Sequence, residues 1–300
     1  MGPARQGGGF GCKMEGGPLS SKALGGVMTE DSRDHWSVPP FGRFLDYLRN
    51  IDQVLYVSMR GIDQLTRMVP LHEALLGVDD ESDPDSIPEE SARRLGRVRW
   101  EAEFSKAEVE AGFPILHAHS IVAVWGALEA MVQDVVLCWL RNKPELLSQD
   151  ALSGIKIQLA QYEAMETEDR LEYLLRQFEN ETRTKYKAGV SRFESLLQLV
   201  ELSGPVDDDL SRILFELSNV RNVIVHRAAK ADKRLVESCP WLPYKVGQEI
   251  QLSNDDYVRY RDAANDYLGL LMVRGLRHRG LSEDEARKVV FSSPVEENSA

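Results

Sequence analysis

The sequence predicts an all-α fold, a bundle of packed helices, and three observations carry that expectation. Apolar residues recur at spacings of three and four through most segments from Phe41 to Leu271, the period of a helix face. Breaks rich in acids, proline or glycine, such as Asp79–Pro88 and Gly204-Pro205, separate these segments. Alternation with period two, the mark of a half-buried strand, is short, at Glu249-Ile250-Gln251-Leu252. At 300 residues the chain has room for one or two domains and a core that folds without staples.

Composition narrows the function classes. The net charge of -12 disfavours general adhesion to nucleic acid or anionic lipid, so any RNA contact must be local. Cys12, Cys138 and Cys239 are far apart and outside any CxxC spacing, which implies neither a disulfide framework nor a zinc knuckle and suits a reducing cytoplasm. The sequence has no GxxxxGK[ST] loop, GxGxxG turn, HExxH pair or GxSxG elbow, so common nucleotide-binding and hydrolase classes lose support and no cofactor is expected.

Residues 1–37 are glycine-rich, without helical or strand period, and are expected to be a disordered tail; ordinary polar sequence resumes after Met28, a candidate start. Residues 38–112 are expected to form a helical extension. From Phe41 to Val69 the positions Phe44, Leu48, Ile51, Leu55, Ile62, Leu65 and Val69 form a seam that needs a helix partner, in this chain or in a second copy. The acidic loop 79–88 contains two prolines, and without the EF-hand register a metal reading is disfavoured. Glu89 to Glu110 is highly charged with a narrow apolar stripe, an outer helix.

Ile115 to Leu140 is the most apolar segment. Glu129, Gln133 and Asp134 near its middle make a buried helix of a soluble bundle a better reading than a membrane span. His117 and His119 point to different sides of such a helix and read as capping or surface histidines rather than metal ligands. Residues 151–203 supply two or three more helices. Ser253-Asn254-Asp255-Asp256 caps a last helix carrying Tyr257, Tyr260, Tyr267, Leu268 and Leu271.

The stretch that carries chemistry is 207–229. Acids open it and Arg227, Lys230, Lys233 and Arg234 follow it, as the helix dipole favours, and about six turns are expected. Leu210, Ile213, Leu214, Leu217, Val220 and Ile224 share one face; Phe215, Asn219, Asn222 and His226 form a second, mostly polar stripe. Arg221 lands beside Leu214 and Leu217 on the apolar face, where an unpaired guanidinium is costly. Glu129 is the carboxylate misplaced on the other apolar helix, so the two are expected to approach each other. The basic residues Arg274, Arg277, His278 and Arg279 form a second group that reads as a solvated helix end.

The spacing of Arg221, four residues, then His226, with Asn222 directly after the arginine, resembles the signature of the HEPN superfamily, helical bundles that include many ribonucleases. The segment from His119 to Glu129 is similar to the long core helix of these proteins, and Cys239–Leu242 with Val246–Leu252 to the turn and short extended piece after their motif helix. The resemblance covers roughly 113–275, giving a HEPN-like domain over 113–280 and a tail over 281–300.

Such a resemblance implies metal-independent RNA cleavage, in which a 2'-hydroxyl attacks its own phosphate. His226 would be the general acid or base, Arg221 would bind phosphate oxygens, and Asn222 would orient the phosphate or the imidazole, with Glu129 beside them. Arg227, Lys230 and Asn219 would contact substrate. It further implies a homodimer or larger homo-oligomer with a composite site, a role in phage defence or a toxin–antitoxin response, and an antitoxin or regulatory partner. The alternatives are a non-catalytic HEPN module and a helical scaffold assembled through the Phe44–Val69 seam.

Overall fold

A computed structural model describes residues 35–76, 88–148, 155–182 and 189–291. The glycine-rich stretch with Met28, the acidic run 79–87 and the end from Ser292 lie outside the described residues. Every extended element among the described residues is helical, as the all-α expectation requires.

In chain order the helices are α1 (Pro39–Leu65), α2 (Met68–Leu76), α3 (Glu89–Ala111), α4 (Pro114–Asn142), α5 (Leu159–Glu163), α6 (Thr167–Thr182), α7 (Val190–Leu197), α8 (Asp208–Arg227), α9 (Lys233–Ser238), α10 (Asn254–His278) and α11 (Glu283–Phe291). Single 3-10 turns cover Pro144–Ser148 and Gln198–Val200.

The bundle is organised on α4, against which α1, α6, α7, α8 and α10 all pack. Pro114 suits its first turn, since the missing N–H would be unpaired there, and Pro144 follows its end. This helix is long and apolar enough to cross a membrane by length and composition; here Ile121, Val124, Leu128, Val132, Val135 and Val136 form the centre of the bundle core.

The first half of the seam finds its partner within the chain. Phe44, Leu48, Ile51 and Leu55 are buried in the same core as α4 and α10, so the segment 38–112 shares one core with the rest rather than standing beside it. Tyr257 of α10 reinforces this by donating its hydroxyl to Asp52 of α1 at 2.6 Å. The single helix expected over Phe41–Val69 is broken after Leu65. Pro70 is the reason, because its ring would clash within a continuous helix and fits only the first turn of α2.

Two carboxylates, Glu194 half-buried and Glu216 buried, tie the later helices together. Glu194 of α7 accepts from Tyr267 at 2.7 Å, Arg274 at 2.9 Å and the Gly204 amide at 2.8 Å. Arg274, grouped by sequence with solvated cations, is therefore internal, and it also holds the carbonyls of Leu202 and Pro205 at 3.1 and 2.8 Å. Glu216 of α8 accepts from Trp241 at 2.7 Å, from Tyr260 at 2.5 Å and from Arg259. Charge-assisted bonds of this kind fix α8 against α10 and against the turn that follows α9.

Three further expectations need correction. His117 is neither a cap nor a surface residue: its ring is fully buried and stacks on Tyr257 with centroids 5.8 Å apart. The segment 281–300 contains α11, which docks on α10 through buried Ala286 and Val290; Gly269 leaves the space that the Phe291 ring occupies. The start of ordered contact is earlier than residue 38, because Trp36 meets Trp139 edge-on at 4.8 Å. The short extended piece appears as one antiparallel bridge, Lys230 with Glu249, supported by Ala231 N–H to Gln248 at 2.8 Å and Ile250 N–H to Ala229 at 2.7 Å.

Candidate functional site

Helix α8 forms where its caps demand. Asp207 accepts from the amides of Asp209 and Leu210 at 3.0 and 3.3 Å, Asp208 and Asp209 fill the first turn, and His226 with Arg227 fill the last. It ends at Ala228, whose φ of 47° and that of Ala229, 59°, lie in the left-handed region that costs a non-glycine residue about 1 kcal/mol or more. That strained pair comes directly after His226-Arg227 and turns the chain into the Lys230 bridge.

The two-faced reading of α8 holds in part. Leu214, Leu217 and Val220 are fully buried, whereas Leu210, Ile213 and Ile224 are half-buried. The helix is covered on several sides, by α4, α7, α9 and α10, so burial spreads beyond the expected face to Glu216, Ser218 and Asn219. The second stripe is consequently not one surface. Phe215 lies under Gly189, where a Cβ would sit 2.8 Å from the Phe215 Cα. Asn219 is buried and donates its side-chain amide to the Phe215 carbonyl at 2.8 Å, which removes it from the substrate-facing set. Asn222 is half-buried and His226 exposed, so the stripe opens to solvent only toward the end of the helix.

Arg221 and Glu129 do meet. The nearest guanidinium nitrogen and carboxylate oxygen are 3.8 Å apart, an ion pair rather than a hydrogen bond. Arg221 Nη1 donates to the Asn222 side-chain oxygen at 3.1 Å, and its buried Nε has no hydrogen-bond partner. On its other side Glu129 accepts from Arg192 of α7 at 3.0 Å. Arg192 also donates to Glu179 of α6 at 3.3 Å, and Gln133 of α4 donates to the same carboxylate at 3.1 Å.

Four helices thus contribute to one polar seam that runs Asn222, Arg221, Glu129, Arg192, Glu179, Gln133. Two guanidinium groups face two carboxylates, so the seam is formally neutral. Glu129 commits its short hydrogen bond to Arg192, and Arg221 keeps donors that no described residue takes. The unpartnered Nε is buried, so an anionic oxygen would have to meet the exposed part of the guanidinium, whose planar fork matches phosphate geometry.

Sequence reasoning missed Arg192, Glu179 and Gln133. Gln133 carried a signal, four residues after Glu129 and so on the same side of α4. Arg192 and Glu179 each sit beside a core aromatic, Phe193 and Phe178, and nothing in their own spacing indicates that α6 and α7 bring them together over Glu129.

The cations beyond the helix are arranged for local contact. Arg227, Lys230, Lys233 and Arg234 are all exposed to some degree; Arg227 lies 3.7 Å from Asp232 and Lys233 3.6 Å from Glu237. Such exposed pairs are weak and leave the charges free to meet a polyanion. The other side of the bridge is different. There a cleft of 490 Å³ lies among Tyr244, Gln248, Glu249, Asp256 and Tyr260, lined by carboxylates that repel phosphate and by no member of the predicted site. Cys239 is no candidate nucleophile, since burial, with the Glu216 carboxylate nearby, pushes its thiol up to about 11.

Comparison with protein-family models, curated proteins and solved structures returns no match for this chain.

Proposed function

We propose that the protein is a metal-independent endoribonuclease of HEPN type, acting in the cytoplasm in phage defence or a toxin–antitoxin response. The observation that carries the reading is the constellation at the end of α8. Arg221 lies beside Glu129 with its guanidinium partly exposed, Asn222 holds that guanidinium, and His226 stands exposed one turn further on, next to four cations that reach solvent.

In the proposed reaction the 2'-hydroxyl oxygen forms a bond to the adjacent phosphorus and the bond from phosphorus to the 5' oxygen breaks. The products are a 2',3'-cyclic phosphate and a 5'-hydroxyl. One imidazole accepts the 2'-hydroxyl proton and another donates a proton to the leaving oxygen, the two halves of general acid–base catalysis. Each chain offers one histidine here, so His226 and the partner's His226 would take the two roles in a composite site. Arg221 stabilises charge that develops on the phosphorane, Asn222 keeps the guanidinium aimed, and Glu129 positions it from behind. Arg227 and Lys230 hold flanking phosphates. An antitoxin or regulatory protein would cover this basic end.

A second reading is a non-catalytic HEPN-type module that dimerises or binds RNA. The neutral pairing of Arg221, Glu129, Arg192 and Glu179 favours it, since such a seam also serves to fix helix packing. The scaffold reading keeps only the end of its seam, because Phe44 to Leu55 is buried within the chain while Leu65 is exposed and Ile62 and Val69 are half-buried.

Incubation of total and transfer RNA with purified wild-type and His226→Ala protein in EDTA separates the two. Cyclic-phosphate ends made by the wild type alone support the enzyme. RNA bound without cleavage by a folded wild-type dimer supports the module.

A further inference from the structure

We infer that Arg192 is a positioning residue of the proposed site: it takes the hydrogen bond of Glu129 and so keeps the guanidinium of Arg221 open to a phosphate. The inference rests on the reading of Arg221 as the phosphate-binding group.

Glu129 stands between two arginines and engages them unequally. Arg192 Nη1 donates to its Oε1 at 3.0 Å, whereas Arg221 Nη2 lies 3.8 Å from its Oε2, beyond hydrogen bonding. A carboxylate free to settle on a guanidinium closes to about 2.8 Å and takes two of its nitrogens, the arrangement a phosphate would itself need. Arg192 holds Glu129 back from that closure. Its Nη2 is anchored on Glu179 at 3.3 Å, and Gln133 donates to Glu179 at 3.1 Å, so the Arg192 fork is spread over carboxylates of α4 and α6. Gln133 lies one turn after Glu129 on α4, which sets Glu179 beside Glu129 along that helix.

Loss of Arg192 would release this arrangement. Glu129 has 23% of its side chain exposed, so with its direct donor gone the nearest compensation is the remaining cation, Arg221. Closure on Nη2 would occupy the side of Arg221 that Asn222 leaves open, because Asn222 accepts from Nη1. Removing a cation that touches no phosphate thus weakens phosphate binding, and neutralising Glu129 reverses the effect. Neutralising Glu179 restores the same net charge but not the binding, since Glu179 lies beyond Arg192 in the seam. The Arg192 side chain is 37% exposed, so direct contact with phosphate is the competing role, and in that role neutralising Glu129 would restore nothing.

Binding of a 2'-O-methylated RNA oligonucleotide, which lacks the attacking hydroxyl, to the full chain tests the inference, with urea stability measured on every variant. Arg221→Gln should weaken binding at least about tenfold, and Arg192→Gln by a similar factor. Arg192→Gln with Glu129→Gln should return to within about threefold of the wild type, and Arg192→Gln with Glu179→Gln should stay weak. Arg192→Met, with an apolar stem in place of the arginine, repeats the series so that poor folding of one variant does not decide the result. Binding unchanged by Arg192→Gln but weakened by Arg221→Gln overturns the inference and leaves the reading of Arg221 standing. Recovery in both double variants, or in neither, overturns it as well. Binding unchanged by Arg221→Gln overturns the reading of Arg221, and the inference with it.

Discussion

Glu216→Leu is the substitution whose consequence the structure defines most fully. The carboxylate is buried, with 3% of its side chain exposed, and receives Tyr260, Trp241 and Arg259. Leucine fills nearly the same volume, so little cavity is created. The cost lies in the donors left behind. Tyr260 is 1% exposed and its hydroxyl cannot turn to water, a loss of about 1–3 kcal/mol. Trp241 is 40% exposed and the Arg259 side chain 38%, so both rehydrate and add about 1 kcal/mol together. The expected destabilisation is about 3 kcal/mol, at the lower edge for breaking a buried charged pair. Tyr260→Phe removes the stranded hydroxyl, so the double variant should be more stable than the sum of the single effects implies, by about 1 kcal/mol or more. Urea denaturation of the four proteins, with unchanged slopes, measures both numbers. A cost for Glu216→Leu below about 1 kcal/mol, or additivity within about 0.5 kcal/mol, would refute the role given to the carboxylate.

Buried groups and strained backbone set further expectations. Burial of His117, whose ring nitrogens make no hydrogen bond, holds its pKa below the ordinary value despite the nearby Gly112 carbonyl and Asp256. The unfolded chain therefore binds the proton first, and stability should fall as pH drops below about 6.5; His117→Leu should flatten melting temperature between about pH 7.5 and 5.5. Burial, reinforced by Asp52, Glu216 and Glu194 respectively, raises the phenols of Tyr257, Tyr260 and Tyr267. Stability present below about pH 10 should thus be lost above it, with tyrosinate absorbance appearing at unfolding rather than before it. Ala228→Gly, at a φ of 47°, should stabilise the protein by about 0.5–1 kcal/mol in urea titrations.

What the sequence revealed depended on contrast within one helix. The caps of α8 and α10 were legible because Asp207 and Ser253 with Asp256 act on their own amides. The meeting of Arg221 with Glu129 was legible because each is a charge on an otherwise apolar helix, and burial obliges such charges to pair. Asn219 was misread for the complementary reason: α8 is covered on several sides, so a polar residue off the main apolar stripe is still buried. His117 misled similarly, since nothing in its neighbours signals that Tyr257, far along the chain, will cover it. Arg192 and Glu179 join the seam through the packing of α6 and α7 on α4, a property of tertiary arrangement rather than of local pattern.

The most direct test of the site is the cleavage rate of Arg221→Lys beside the wild type on a defined RNA in EDTA, with urea stability measured on the same samples. Lysine keeps the charge near Glu129 but loses the planar fork. The account predicts an active wild type and a rate at least about a hundredfold lower in the variant, at nearly unchanged stability. An inactive wild type, or a variant that cleaves as fast as the wild type, would contradict it.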